Sequence, residues 1–188
     1  MRSLFLLVFF GFVLTSNSEI ISTNLDGGPV TTSTGIGGKV NAKSSLHRAW
    51  IVINDPGCPI QISGTGIQTR YEAGNFNFVA AGSFNPSADT AAFEIRYVLY
   101  DLFGNHMITL SDTEVADWKS GKTTALNGLW PASHDDVMGL LTVVTFVGRA
   151  RSQDGKIWRC DPDAIKQRLA EINLQNDSVL NPSPAAKQ

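Results

Sequence analysis

The chain has 188 residues, 43% of them hydrophobic and 17% charged, with a net charge of −2 and a pI near 5.9. That is one domain of ordinary size with tails, too apolar for a disordered chain. It also lacks the surplus of Lys and Arg with which a nucleic-acid binder neutralises phosphates, so no nucleic-acid partner is expected.

Met1-Arg2-Ser3 opens positively, Leu4 to Leu14 is an unbroken apolar run, and Thr15-Ser16-Asn17-Ser18 is small and polar. This is the order of parts in a secretory signal peptide over 1–18, with the cut before Glu19. The run is too short for a spanning helix, which needs about 20 apolar residues, so no transmembrane helix is expected in the mature chain. Residues 19–46 are rich in Ser, Thr, Gly and Asn and read as a flexible leader. Ile20-Ile21 or Val30-Thr31-Thr32 could add a short edge strand there.

From about residue 47 the texture changes to strands and turns. Ala49 to Asn54 is apolar and β-branched, and Asp55-Pro56-Gly57-Cys58-Pro59 breaks it. Ile60-Gln61-Ile62 resumes, then Ile67, Thr69 and Tyr71 alternate. Phe76, Phe78 and Ala80 share one face of the following strand. The clearest period of two runs from Thr90 to Phe103: Phe93, Ile95, Tyr97 and Leu99 face one way, and Glu94, Arg96 and Tyr100 the other. Asp101 to Asn105 turns the chain, with Asp accepting backbone N–H groups and Gly104 tolerating positive φ. His106 to Leu110 returns, Trp118 to Lys122 turns again, and Met138 to Arg151 forms a long apolar strand. Asp154-Gly155 predicts a two-residue hairpin leading into Lys156 to Cys160. About seven to eight strands at short intervals predict an antiparallel sandwich over 47–160.

After Cys160 the period lengthens. Asp161 suits an N-cap and Pro162 the first helical position, while Ile165, Leu169 and Ile172 form one stripe. A helix is expected over 161–174 and a disordered polar tail over 175–188. Cys58 and Cys160 are the only cysteines, 102 positions apart. An even pair in an exported chain reads as one disulfide. Closing a loop of about 100 residues would contribute roughly 4–5 kcal/mol in the chain-entropy model.

Tyr97-Val98-Leu99-Tyr100-Asp101, followed by Phe103-Gly104, resembles the signature strand of FxLYD-type domains, with Tyr97 in place of the Phe of that pattern. The resemblance extends in element order across roughly Arg48 to Cys160. It implies a bacterial extracytoplasmic module, periplasmic or extracellular. The implied fold class is all-β, an immunoglobulin-like or fibronectin-like antiparallel β-sandwich with a short C-terminal helix. It attaches no reaction to that fold, and the helix after Cys160 and the Ser/Thr-rich leader depart from the family pattern.

Candidate chemistry is sparse. His134-Asp135-Asp136 could hold a metal with His47 or His106, but no HxH, HExxH or CxxC is present, and a solvated turn is the plainer reading. Asp112 with Glu114, and Asp161 with Asp163, are sequence-neighbour carboxylates without a visible cleft. Gly35 to Gly38 lacks the Lys-Ser/Thr ending of a phosphate loop, and there is no GxSxG elbow. No catalytic residue, metal or cofactor is therefore assigned. Trp50 and Trp158 lie inside apolar strands and read as core, whereas Trp118 and Trp130 lie beside turns and are the candidate partner surface. The leading expectation is an exported, non-catalytic β-sandwich with a binding or structural role toward a protein or glycan of the cell envelope. The contrasting ones are a metal-handling or hydrolytic protein around His134, and a carbohydrate-binding module using Trp118 and Trp130.

Overall fold

The computed structural model describes residues 19–24, 49–72 and 74–174. Among these residues nine strands and two helices follow in the order β1 (Glu19–Asn24), β2 (Ala49–Asn54), β3 (Ile60–Glu72), β4 (Asn75–Pro86), β5 (Thr90–Asp101), β6 (His106–Trp118), β7 (Thr124–Ala132), α1 (His134–Gly139), β8 (Leu140–Ser152), β9 (Ile157–Arg159) and α2 (Pro162–Glu171). The fold is the expected all-β sandwich. One sheet has the order β1-β2-β8-β5-β6, with β9 also paired to β8, and the other has β3-β4-β7. The expected signal segment, Val30-Thr31-Thr32, His47 and the C-terminal tail lie outside the described residues. The leader contributes one described element, β1, which holds Ile20-Ile21 and pairs antiparallel with β2.

Three features refine the expectation. The pairing is not wholly antiparallel, because β2 runs parallel to β8, with Trp50 beside Val143 and Ile53 beside Phe146. Trp50 Nε1 donates to Thr145 Oγ1 at 2.9 Å across that pair, which satisfies the one polar atom of a fully buried ring. The Ser133-His134-Asp135-Asp136 segment is not a turn but opens α1. Ser133 Oγ accepts from the Asp136 N–H, and the Asp136 carboxylate accepts from the Ser133 N–H, a reciprocal capping box. The hairpin between β8 and β9 has a three-residue loop, 153–155, closed by Ser152 N–H to Lys156 O at 3.0 Å, with Gly155 at φ 87°.

The sheets enclose a core built from the faces read by alternation. Phe93, Ile95, Tyr97 and Leu99 of β5 meet Phe78, Ala80 and Phe84 of β4, with Ile60, Ile62 and Leu126. Asn54 bridges the layers: its Nδ2 donates to Ile62 O and its Oδ1 accepts from Ile62 N–H, both at 2.9 Å, where β3 is bulged. Pro131 is tolerated inside β7 because that strand is the edge of its sheet and pairs with β4 alone.

A second core lies on the far side of the larger sheet. Val98 and Tyr100 of β5, Val144 and Phe146 of β8 and Ile53 of β2 are covered by Ile165 and Leu169 of α2. A helix of ten residues is too short to persist alone, since isolated helices need about 12–15. Burial of Ile165 and Leu169 at about 1.5–3 kcal/mol each offsets that deficit. The helix therefore docks on its own domain and covers half of that face. The rest of the face carries charge.

Candidate functional site

The residues singled out by sequence are distributed as follows. Trp130 is 8% exposed, its ring lies edge-on to Tyr97 with centroids 5.2 Å apart, and it folds back over Gly128. A Cβ on Gly128 would stand 2.2 Å from the ring, so glycine there is what lets the indole lie down. Trp118 is half-buried against Phe84 and Phe93, with centroids 5.2 and 6.3 Å away. Both rings turn inward to the core, so the expected partner surface on Trp118 and Trp130 is corrected. Among the described residues the large apolar side chains that do face solvent are Tyr71, Leu102, Phe103, Val115, Leu129 and Ile157.

His134 is exposed at the start of α1, 3.3 Å from the Asp135 carboxylate and edge-on to Phe76. His106 sits elsewhere, against Tyr100 and Thr109 Oγ1, and burial lowers its pKa. Among the described residues no three His, Cys, Asp or Glu side chains come together as a metal site. Asp112 and Glu114 share a face of β6. Partial burial, with the Asp112 charge second, raises the Glu114 pKa.

Cys58 and Cys160 come to one place but are free thiols, so the expected bridge is not formed in this structure. β2 ends opposite Phe146 and β9 ends opposite Arg149, and the two strand ends meet head-on along one edge of β8. Cys58 follows the first and Cys160 the second, and both line one small cavity with Asp55, Val147 and Trp158. Cys58 belongs to the inner core, its Sγ accepting from Ile60 N–H at 3.4 Å, while Cys160 packs with the cluster under α2. Burial pushes the Cys58 thiol up to about 12 and raises Cys160 as well.

The site that sequence reasoning missed is the half of the outer face that α2 leaves open. Register places its residues in rows. Thr113 of β6, Glu94 of β5, Arg149 of β8 and Arg159 of β9 form one row, and Val115, Ala92, Arg151 and Ile157 the next. Arg96 lies one step toward α2. Glu94 is 7% exposed and takes Arg96 Nε on one oxygen and Arg149 Nη2 on the other, each at 2.7 Å. Gly148, the extra residue of a bulge in β8, makes room for that arrangement. A Cβ there would stand 2.8 Å from Arg96 Nε and 3.1 Å from Glu94 Oε1. Arg151 and Arg159 are exposed and have no carboxylate partner among the described residues. Four of the chain's eight arginines thus surround one carboxylate, on a protein whose net charge is negative. Between them lies a depression of about 200 Å³ floored by Ala92, Phe93 and Ala150.

No family model matches the chain. No curated protein matches it. Among solved structures it is similar to a hypothetical protein from Peptoclostridium difficile 630, at 13% identity and a TM-score of 0.45, over 67% of this chain and 98% of that one.

Proposed function

We propose that this chain is an exported, non-catalytic binding module of the bacterial cell envelope, periplasmic or extracellular, akin to FxLYD-type domains, whose outer sheet face meets its partner. The observation that carries the binding role is the cluster of strand-borne arginines around buried Glu94 on the half of the face not covered by α2. A guanidinium keeps its charge at every accessible pH, so such a cluster attracts anions rather than shuttling protons. Strands fix the positions of these groups before binding, which lowers the ordering cost. Export is supported by the sequence order of a charged start, an apolar run and small residues before Glu19. In an oxidising compartment the two thiols that share a cavity would lose two hydrogens to an external disulfide and join.

The test is expression of the full chain in a bacterium, fractionation, and intact-mass measurement with and without reductant. The expected product begins at Glu19, is found outside the cytosol, and gains two hydrogens on reduction. A chain that starts at Met1 and stays in the cytosol would refute export. An exported chain whose mass does not respond to reductant would refute the bridge.

A further inference from the structure

The hydrogen-bonding phase of the β8–β9 hairpin decides what the arginine face can hold. Ser152 N–H donates to Lys156 O, and Cys160 N–H donates to Gly148 O, both at 3.0 Å. In an antiparallel ladder hydrogen-bonded pairs alternate with non-bonded ones, so Ala150 and Trp158 exchange bonds, while Ile157 and Arg159 turn their N–H and C=O groups away from β8. Among the described residues no strand pairs with that outer edge of β9. The open edge and the arginine face are therefore presented by the same two residues: Ile157 and Arg159 offer backbone groups sideways and side chains to the outer face.

The charge pattern adds a second argument. Arg149 and Arg159 stand directly opposite each other in a non-hydrogen-bonded pair, where side chains are closest. Like charges in that position repel. Glu94 answers Arg149 and Arg96, and nothing among the described residues answers Arg159 or Arg151. A carboxylate arriving on a strand beside β9 would fall next to Arg159 and relieve that repulsion.

We propose that β9 is the docking edge for an extended acidic peptide segment of a partner protein, which adds a strand beside Ile157–Arg159. The partner residue opposite Arg159 carries a carboxylate, and the residue two positions away, opposite Ile157, is apolar. The alternate residue between them points to the other face, above the groove formed by Pro59, Ala88 and Trp158. A carboxylated glycan matches the charge but has no backbone ladder to offer, so the peptide is the occupant that uses both features. This assignment rests on the binding role proposed above, and it does not depend on export.

The experiment is an NMR titration of the full chain as recovered from cells, with an end-blocked hexapeptide, glutamate–serine–valine–serine–glutamate–serine, whose glutamates and valine alternate along one strand face. Saturable shifts centred on 149–159 are expected by about 5 mM peptide, the range open to a few exposed contacts. Replacing glutamate by glutamine in the peptide, or introducing Arg151→Glu with Arg159→Glu in the protein, should weaken binding about tenfold, since each exposed ion pair is worth a few-fold. Methylating the peptide's amide nitrogens should weaken it comparably. The proposal is overturned if no saturable shift appears, if the glutamine or N-methylated peptide binds equally well, or if a galacturonate oligosaccharide binds as tightly as the peptide. A chain retained uncleaved in the cytosol that still binds the peptide would sink export and leave this edge standing.

Discussion

Glu94→Gln isolates what one buried carboxylate does for the arginine face. The wild-type side chain is 9% exposed and accepts from two guanidiniums at 2.7 Å. Removing its charge leaves Arg96, whose side chain is 17% exposed, facing a neutral amide in a partly dehydrated site. Breaking a buried pair by losing one partner costs about 3–5 kcal/mol. The Arg149 arm is discounted because that side chain is 53% exposed and water screens it. The net expectation is a loss of about 2–4 kcal/mol, with repulsion among four guanidiniums now unopposed. Urea unfolding followed by tryptophan fluorescence measures it. Because the repulsive part is screened over about 8–10 Å at moderate ionic strength, added salt should restore part of the loss. A variant within about 0.5 kcal/mol of wild type, the usual range for an inert surface change, would mean that Glu94 does not organise this face.

Other expectations follow from the same geometry. Leu169→Ala removes a fully buried side chain from the cluster beneath α2 and should cost about 2–5 kcal/mol in urea unfolding; a change below about 0.5 kcal/mol would mean that α2 does not dock. Gly148→Val forces a side chain against Arg96 and Glu94, so it should destabilise by about 1–3 kcal/mol, and Glu94→Gln should then cost less in that background than alone. Glu114→Gln gives a pH-dependent gain. Its folded pKa is raised by partial burial and by Asp112, so charging Glu114 disfavours the fold as pH rises through the folded value. The variant should be more stable than wild type at pH 7 and equal to it well below the ordinary carboxylate pKa; equal stability at both pH values would contradict the assignment. In protein purified under reductant, an alkylating reagent at pH 8 should reach half-buried Cys160 first and Cys58 only after unfolding, because burial holds the Cys58 thiol up to about 12. Equal native labelling would place Cys58 outside the core.

The sandwich was legible wherever one strand face meets the core, because alternation in β4 and β5 needs only local residues. The reading of Asp101 and Gly104 also holds: Asp101 accepts from the Phe103 and Asn105 N–H groups, and Gly104 has φ 79°. Tyr100 sorted correctly to the outer side of β5, yet that side is not solvent there, because α2 folds over it from more than sixty positions downstream. Trp118 and Trp130 stand beside turns in sequence, but a ring's direction depends on what lies across the sandwich, and Gly128 alone gave a faint signal. The opening of α1 was readable in Ser133 and Asp136, a capping box with Asp where Glu or Gln is usual. The arginine face was also partly written in the chain. Arg149 and Arg151 alternate just before the Asp154-Gly155 loop and Arg159 follows it, so folding the hairpin lays the first and last opposite each other. Glu94 could not be added from sequence, since its row is set by register with a distant strand and by the bulge at Gly148.

Amide hydrogen exchange across the β8–β9 hairpin probes the open, charged edge at single-residue resolution. Trp158 and Ser152 should exchange slowly, as ladder donors, while Ile157 and Arg159 exchange at nearly open-chain rates and slow down when the glutamate–valine peptide is added. If Ile157 and Arg159 are already protected in the protein alone, or stay fast beside bound peptide, β9 is not a free edge awaiting a strand.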